Sequence, residues 1–268
     1  MGVTVAPPTA SALLDDPRRT IVLQGAHNVR DLGGYPLADG RTIAWRRLLR
    51  ADGLHGLTAD DLIVLQPLGL RTVIDLRRED EVAQRGAFPV ERLPVDLVHV
   101  PIMDSTWMNL EIPDFSDRPD PEVAFLIWAY DDMLAVGGQR FGEAIRRLTH
   151  PEALPAIFHC AAGKDRTGML AALLLAALGV DDDIVVADYA LTAVSIERMR
   201  RWYAANRPDL AVQIDEVPSM FLAARPEAMQ QSLDQVRAKH GSIRGYLATI
   251  GVDDTTLETL ADTLTREA

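Results

Sequence analysis

Short apolar stretches alternate with amphipathic stretches through the first two-thirds of the chain. Apolar and β-branched residues at Thr72–Leu76, Leu97–Ile102 and Leu154–Phe158 predict buried strands. Apolar residues at helical spacing predict helices between them, and the last third is almost entirely helical in pattern. This order of elements predicts an α/β fold, in which a central sheet is flanked by helices and extra helices follow at the C-terminus.

Turn and cap signals set the limits of several elements. The Asp39-Gly40 pair predicts a hairpin turn between strands at residues 34–37 and 42–45. Gly137-Gly138 interrupts the helical pattern of residues 122–148, which therefore predicts two helices or one helix with a break. Residues 104–121 show no period and predict a long surface loop. Other helices are predicted at residues 58–68, 181–189, 195–206, 226–240, 241–250 and 254–266.

The length allows one large domain or two small domains, and we expect a single one. Residues 1–19 are rich in Pro and Ala and predict a flexible N-terminal lead-in, followed by a single domain at residues 20–268. The C-terminal helical part of that domain spans about residues 195–268. The longest apolar run, Met169–Leu178, has about half the length of a membrane helix. No basic region followed by an apolar region opens the chain, so we expect a cytoplasmic protein unless it is secreted by an unconventional route.

The net charge of −12 argues against nucleic acid as a partner and against stable association with anionic membranes. An anionic substrate must therefore be attracted by a local basic site. The single cysteine excludes an internal disulfide and disfavours a zinc site, so we expect no metal and no cofactor. The sequence leaves the oligomeric state open.

That cysteine lies in the segment Phe158–Gly168, between the predicted strand and the apolar run that follows. The pattern predicts strand, tight loop and helix, with Cys160 at the start of the loop and Arg166 at the helix N-terminus. Backbone N–H groups and the helix dipole make such a loop a site for an oxyanion. A thiol held there ionises readily, and a guanidinium binds two phosphate oxygens at once. A nucleophile, an anion site and a guanidinium are the parts of a phosphatase.

The alternative is that Cys160 is a small buried apolar residue, as free cysteines often are. Two further features favour the functional interpretation. The small residues of the loop let backbone amides approach an oxyanion closely, and the hydroxyl of Thr167 can stabilise the leaving thiolate. A nucleotide-binding Walker loop is excluded because Asp165 follows Lys164 and Phe158 stands where the first glycine belongs. The predicted phosphate-binding residues are Ala161, Ala162, Gly163, Lys164, Asp165 and Arg166.

The pattern His159-Cys160 followed by Arg166-Thr167-Gly168 resembles the signature of cysteine-dependent protein tyrosine phosphatases. The longer stretch Ala162–Gly168 is similar to that of a narrower bacterial group, the PtpB-like phosphatases of Mycobacterium tuberculosis. Further similarities to that group occur in order along about residues 25–260, at Asn28–Gly34, Asp75–Arg77, Ile184–Tyr189 and Gly241–Leu247. Two positions depart from the group: Ala51 stands where it has Ser, and Ala161 stands where it often has a larger side chain.

This resemblance implies a protein tyrosine phosphatase that works through a phosphocysteine on Cys160. Arg166 and the loop amides would hold the phosphate oxygens, and His159 and Arg77 would support the site. Phosphotyrosine in proteins is the leading substrate, with dual specificity for phosphoserine and phosphothreonine as an extension. The second positive charge at the loop rim, Lys164, is similar to that of phosphoinositide phosphatases, so a phosphoinositide is the alternative substrate. Some relatives carry a helical lid, which the helices after Ser195 would form here.

Two aspartates are candidates for the general acid that protonates the leaving oxygen. Asp165 lies inside the loop itself, as in the resembling family, and its alternative role is loop scaffolding. Asp75 ends a strand, where α/β sheets place their sites, and its alternative role is a salt bridge with Arg77 or Arg78. Other classes of function are a non-catalytic binder of phosphorylated ligands, a sulfur transferase and an arsenate reductase, the last disfavoured by the lack of resolving cysteines.

Overall fold

In the computed structural model, five strands of the described chain form a mixed sheet in the order β1-β3-β6-β4-β5. The structure describes residues 10–107, 110–150, 152–208, 211–212 and 216–267. The sheet strands are β1 (Arg30–Asp31), β3 (Leu48–Ala51), β4 (Thr72–Asp75), β5 (Asp96–His99) and β6 (Ala156–His159). Strands β3, β6, β4 and β5 run parallel, and β1 pairs antiparallel with β3. A separate antiparallel pair joins β2 (Arg41–Ile43) to β7 (Thr265–Glu267).

Helices cover both faces of the sheet. The helices of the described chain are α1 (Ala10–Leu14), α2 (Ala59–Leu65), α3 (Glu79–Arg85), α4 (Pro121–Arg147), α5 (Asp165–Leu178), α6 (Asp182–Asn206), α7 (Ser219–Leu222), α8 (Pro226–His240), α9 (Ile243–Thr249) and α10 (Asp254–Leu264). Short 3₁₀ turns occupy Leu54–Gly56 and Gln66–Leu68. No helix of the described ranges is both long and apolar enough to cross a membrane.

Successive residues of each parallel strand point to opposite faces and join different apolar clusters. On β4, Val73 packs into the cluster on the α2 side, while Ile74 packs into the larger cluster beneath α4 and α5. Ile157 and Phe158 of β6 divide in the same way. A sheet buried on both faces produces the continuous apolar runs that identified these strands in the sequence. The predicted α/β class, with a central sheet, flanking helices and additional C-terminal helices, is confirmed.

The structure differs from several predicted elements. Gly137-Gly138 does not break α4. The glycines instead allow the helix to approach the segment at Ile102 closely, since a Cβ on Gly137 would lie 2.6 Å from the Ile102 carbonyl oxygen. The helices predicted at residues 181–189 and 195–206 are one helix, α6. The hairpin predicted around Asp39-Gly40 is present, with the N–H of Ile43 donating to the Tyr35 carbonyl at 2.8 Å, and β2 pairs in addition with the C-terminal strand β7. Strand β3 was not predicted, because its polar and basic neighbours obscure its apolar character.

Residues 1–9 of the predicted lead-in lie outside the described residues. The rest of that segment contains α1 and a buried arginine, Arg19, whose guanidinium lies 3.8 Å from the centre of the Tyr35 ring. Arg19 also donates to the Asp31 carbonyl at 2.8 Å. These contacts attach the chain just before residue 20 to the domain. The domain limits at residues 19 and 20 stay a prediction.

Candidate active site

The predicted strand, loop and helix around Cys160 are present. β6 ends at His159, Cys160 follows it directly, and α5 begins at Asp165. We call residues 160–166 the Cys160 loop. Because β6 lies between β3 and β4, the loop emerges at the carboxyl edge of the parallel strands, where α/β sheets bind ligands. The N-terminus of α5 directs the positive end of its dipole at this loop.

The carbonyl oxygens of the Cys160 loop bind the surrounding scaffold. The N–H of Gly53 donates to the carbonyl of Ala161 at 3.0 Å, and the Asn28 amide donates to the next two carbonyls at 3.0 and 3.2 Å. By contrast, no described residue accepts a hydrogen bond from the N–H groups of residues 161–166. Since the N–H and C=O of a peptide point in opposite directions, these N–H groups are turned to the inner side of the loop. They form a concavity suited to an oxyanion.

A buried cluster centred on Asp188 holds the scaffold side chains. Asp188 accepts from Arg30 at 2.9 Å and from Arg50 at 2.5 Å. Arg30 in turn donates to the Asn28 side-chain oxygen, and Arg50 donates to the Gly163 carbonyl at 2.8 Å. Asp52 is a second buried carboxylate near Arg30. The cluster therefore holds the loop in place through the Arg50 bond to the Gly163 carbonyl.

The charges of this cluster are stable at neutral pH. Burial alone would raise the pKa of Asp188, but Arg30 and Arg50 outweigh it and hold that pKa far below its usual value. Burial and the neighbouring Arg30 lower the pKa of Arg50 to about 10, which still leaves its guanidinium protonated.

Helix α3 supplies Glu81, which fixes the direction of the Arg166 side chain. The Glu81 carboxylate accepts from both terminal nitrogens of Arg166, at 2.5 and 3.0 Å. Burial alone would lower the pKa of Arg166, but Cys160 and Glu81 raise it above its ordinary value, so the guanidinium is permanently charged. An oriented, permanently charged guanidinium is suited to binding phosphate oxygens.

Cys160 begins the loop with 2% of its surface exposed, and it belongs to the apolar cluster beneath α4 and α5. The Nδ1 of His159 lies 3.2 Å from the Cys160 carbonyl oxygen. Burial lowers the pKa of His159 to about 4, so its imidazole is neutral at pH 7. The buried Thr167 hydroxyl has no hydrogen-bond partner among the described residues. The interaction predicted between this hydroxyl and the thiolate is therefore not formed in this structure.

Asp165, the first residue of α5, is contacted by two donors at the same carboxylate oxygen. The Tyr130 hydroxyl donates to Oδ1 at 2.8 Å, and the Lys164 ammonium lies 3.4 Å from the same atom. The side chain of Asp165 is 20% exposed. The hydroxyl of Tyr189 lies 2.6 Å from that of Tyr130. Asp165 is thus both accessible and held by buried groups.

Asp75 lies at the end of β4, but Arg77 binds its carboxylate. Arg77 Nε donates at 2.9 Å and Nη2 at 2.6 Å, to different oxygens. The Nε2 of His159 lies 3.7 Å from the same carboxylate. Burial alone would raise the pKa of Asp75, but Arg77 and His159 hold it below its usual value. This geometry matches the salt bridge that was the alternative role of Asp75.

Lys164 differs from its predicted position at the rim of the loop. Its side chain is 1% exposed, and its ammonium donates to the carbonyls of Phe221 and Ala223 at 2.7 and 2.9 Å. Lys164 is buried because α7 and the following residue, Ala223, lie against the loop. The helical lid over the site stays a prediction.

The sequence model of the tyrosine phosphatase family matches residues 21–266 of the chain. The chain belongs to the tyrosine phosphatase family. It is a hydrolase of phosphate monoesters, and the phosphocysteine mechanism is general for this family.

Two relatives resemble this phosphatase along most of its length. A protein of Cupriavidus necator that is named as a tyrosine-protein phosphatase is 31% identical over 91% of this chain and 88% of its own length. The triple specificity protein phosphatase PtpB of Mycobacterium tuberculosis is 27% identical over 90% of this chain and 98% of its own. The core catalytic domain of the PP-IP phosphatase SIW14 from S. cerevisiae shares 15% identity at a TM-score of 0.35, covering 78% of this chain and 93% of that one.

Sequence reasoning missed several side chains of the site of this phosphatase. Glu81 and Tyr130 carry no recognisable motif, since each lies on a helix distant in sequence from the Cys160 loop. Asn28, Arg30 and Asp188 did lie within the stretches similar to the PtpB-like group, but their roles were not assigned. The available signal was that these polar residues lie in otherwise apolar or turn-rich surroundings.

Proposed function

We propose that this phosphatase removes phosphate from tyrosine side chains of proteins, with Cys160 as the nucleophile. The observation that carries the proposal is the geometry of the Cys160 loop. Its carbonyls are bound to the scaffold, its N–H groups have no acceptor among the described residues, and the buried guanidinium of Arg50 donates to the Gly163 carbonyl. Cys160 begins this loop, and its charged sulfur is close enough to Arg166 to raise the pKa of that guanidinium. A phosphate bound there would present its phosphorus to the thiolate.

Arg166 holds phosphate oxygens in this proposal while Glu81 holds Arg166. A guanidinium has five N–H donors, and Glu81 uses one on each terminal nitrogen. The edge formed by Nε and the adjacent Nη remains for the phosphate. Together with the loop amides, this edge would stabilise the charge of the transition state at the equatorial oxygens.

Asp165 is the general acid in this proposal. Its carboxyl group is partly exposed at the mouth of the loop, whereas Asp75 is bound by Arg77 at both oxygens. A carboxyl whose pKa is held low by an arginine has no proton to donate near neutral pH. Asp75 instead supports the site by orienting Arg77 and lying beside His159.

The burial of Cys160 favours an aromatic phosphate ester. Cys160 is almost completely buried, and the phosphate of a tyrosine stands farther from its backbone than that of a serine. The Lys164 ammonium is already bonded to two carbonyl groups, so a second phosphate of an inositol would have to replace them. Phosphotyrosine is therefore the leading substrate and a phosphorylated protein the expected partner.

The alternative substrates are phosphoserine, phosphothreonine and phosphoinositides. The name of the relative PtpB, a triple specificity phosphatase, is the reason to test them. The net charge of −12 disfavours docking on anionic membranes, which argues against lipid substrates presented in a bilayer. We expect the protein to act on dissolved substrates in the cytoplasm.

Steady-state kinetics on matched phosphopeptides and soluble inositol phosphates test this proposal. We expect kcat/KM for a phosphotyrosyl peptide to exceed that for its phosphoseryl counterpart and for the inositol phosphates by about tenfold or more. Cys160→Ser should abolish all turnover but retain binding of the peptide, because the loop amides and Arg166 remain. A rapid acid quench of the wild type should trap phosphate on Cys160. Faster hydrolysis of an inositol phosphate, or turnover by Cys160→Ser, would contradict the proposal.

A further inference from the structure

Two buried tyrosine hydroxyls form a chain that ends at the proposed general acid. Tyr130 lies on α4 and Tyr189 on α6, so this chain of hydrogen bonds links two helices to the first residue of α5. The hydroxyls lie 2.6 Å apart, and Tyr130 lies 2.8 Å from Oδ1 of Asp165. Neither the recognised loop motif nor the proposed mechanism uses these hydroxyls.

The order of the hydrogen bonds in this chain is determined by chemistry. An ionised carboxylate only accepts, so Tyr130 donates its single proton to Asp165. Tyr189 must then donate to the oxygen of Tyr130. Burial, followed by the nearby Asp165, raises the pKa of Tyr130 well above its ordinary value, so the hydroxyl is protonated near neutral pH.

The two oxygens of Asp165 are therefore not equivalent. Oδ1 receives the Tyr130 hydroxyl and lies 3.4 Å from the Lys164 ammonium, whereas no described residue donates to Oδ2. Both the hydroxyl and the ammonium disfavour a proton on Oδ1. A proton taken up by Asp165 is thus directed to Oδ2. The charged and titratable groups that face the carboxyl are Lys164 and Arg166 of the loop and the two tyrosines.

We propose that Tyr130, held by Tyr189, is a positioning residue that directs the catalytic proton of Asp165 to Oδ2. This inference rests on the proposed role of Asp165 as the general acid. In the first step the thiolate of Cys160 forms a bond to phosphorus while the bond from phosphorus to the ester oxygen breaks. The proton on Oδ2 passes to that oxygen, which leaves as the phenol, and Asp165 becomes a carboxylate. Tyr130 keeps its own proton throughout.

The dependence of rate on the leaving group tests this inference. A general acid matters most when the leaving phenol is weakly acidic, as tyrosine is, and least for an acidic phenol such as p-nitrophenol. We expect Tyr130→Phe to lower kcat for a phosphotyrosyl peptide about tenfold, with KM unchanged, and kcat for p-nitrophenyl phosphate by less than about twofold. A loss of packing alone would lower both rates equally.

Tyr246→Phe is the matched control. Tyr246 is another buried tyrosine, and its hydroxyl donates to the Leu134 carbonyl of α4, so its loss affects the same helix without touching Asp165. It should leave both rates near those of the wild type. Equal losses for the two substrates in Tyr130→Phe, or a loss no greater than that of Tyr246→Phe, would overturn the inference.

Asp165→Asn separates failure of this inference from failure of the proposed mechanism. If Asp165 is the acid, this variant should lose far more rate with phosphotyrosine than with p-nitrophenyl phosphate. A selective loss in Asp165→Asn without one in Tyr130→Phe would overturn the positioning role alone. Equal losses with both substrates in Asp165→Asn would overturn the acid assignment and the inference together.

Discussion

The Arg166 guanidinium is shared between Glu81 and, in the proposed mechanism, the substrate. Glu81 lies on α3, and its carboxylate accepts from both terminal nitrogens of Arg166. This bidentate contact restricts rotation of the guanidinium plane. The side chain of Arg166 therefore loses its conformational entropy when the protein folds, and not when a phosphate binds. Glu81 should affect oxyanion binding although it does not touch the oxyanion.

Glu81→Gln should weaken both catalysis and oxyanion binding. The amide offers one acceptor where the carboxylate offers two, so Arg166 is less firmly oriented. We expect kcat/KM to fall about tenfold and the inhibition constant of inorganic phosphate to rise by a similar factor. Glu79→Gln is the control, because it removes the same charge from an exposed site in the first turn of the same helix. Equal effects of the two variants would show that charge alone matters.

The two candidate acids should differ in their pH profiles. A general acid must be protonated, so the rate through it falls as pH rises. Asp165→Asn should lower kcat for phosphotyrosine about 10²–10⁴-fold and remove this alkaline decline. Asp75→Asn should retain the decline, because Arg77 holds the pKa of Asp75 low and its carboxyl is already ionised. The contribution of the ionised Asp75 carboxylate to the free energy of unfolding is present above about pH 4 and is lost as pH falls further. Loss of the alkaline decline in Asp75→Asn would reverse the assignments.

At the scale of elements, the junction between β3 and the Cys160 loop depends on Gly163. Its φ is +67°, and a Cβ there would lie 2.7 Å from the Ala51 carbonyl oxygen and 2.8 Å from the Asn28 amide nitrogen. Asn28 binds the loop carbonyls, and Ala51 is the last residue of β3. A side chain at this position would displace the loop from β3 and misalign its amides.

Gly163→Ala should therefore reduce activity far more than a strained glycine elsewhere. We expect kcat/KM to fall about 100-fold, and the free energy of unfolding to fall by about 1–3 kcal/mol. Gly40→Ala is the control: Gly40 also has a positive φ, +90°, but a Cβ there would meet no atom within 4 Å. It should lose stability and keep full activity. Unchanged kinetics in Gly163→Ala would contradict this role of the loop.

The elements that the sequence predicted well are those with a strong local signal. The helix that begins after Thr58, the apolar strand β6 and the helix α5 after the Cys160 loop are all present. Strand β3 was not predicted, because its pairing with β1 and β6 defines it and its own pattern of apolar residues does not. The continuous path of α4 through Gly137-Gly138 depends on Ile102 and Tyr246, which pack against those glycines and are remote in sequence.

At the scale of the whole molecule, Asp188 joins parts of the chain that are far apart in sequence. It lies on α6 and binds Arg30 of β1 and Arg50 of β3, and it accepts from the Tyr35 hydroxyl at 3.0 Å. This cluster explains why the site was only partly predictable. The chemical groups of the Cys160 loop are local and carry a motif, whereas the groups that shape the loop are assembled by the fold.

Asp188→Asn should destabilise the whole domain, because it leaves two buried guanidinium groups without a counter-charge. We expect the free energy of unfolding at pH 7, measured by urea denaturation, to fall by about 3–5 kcal/mol. Because the pKa of Asp188 is lowered by folding, its contribution is complete above about pH 4 and decreases at lower pH, so the difference from the wild type should narrow there. Asp39→Asn, in an exposed pair with Arg41, is the control and should change little. Equal urea midpoints for Asp188→Asn and the wild type would contradict this prediction.

The chain contains a single sulfhydryl group, and it is the one that the proposed reaction requires. Once oxidised to a sulfenic acid, Cys160 has no second thiol within its own chain with which to form a protective disulfide. Recovery would depend on a small thiol from the surroundings or on capture by a neighbouring backbone nitrogen. Because there is one thiol, alkylation measures the active sites directly. Each molecule of alkylating reagent that reacts with a thiol corresponds to one inactivated enzyme.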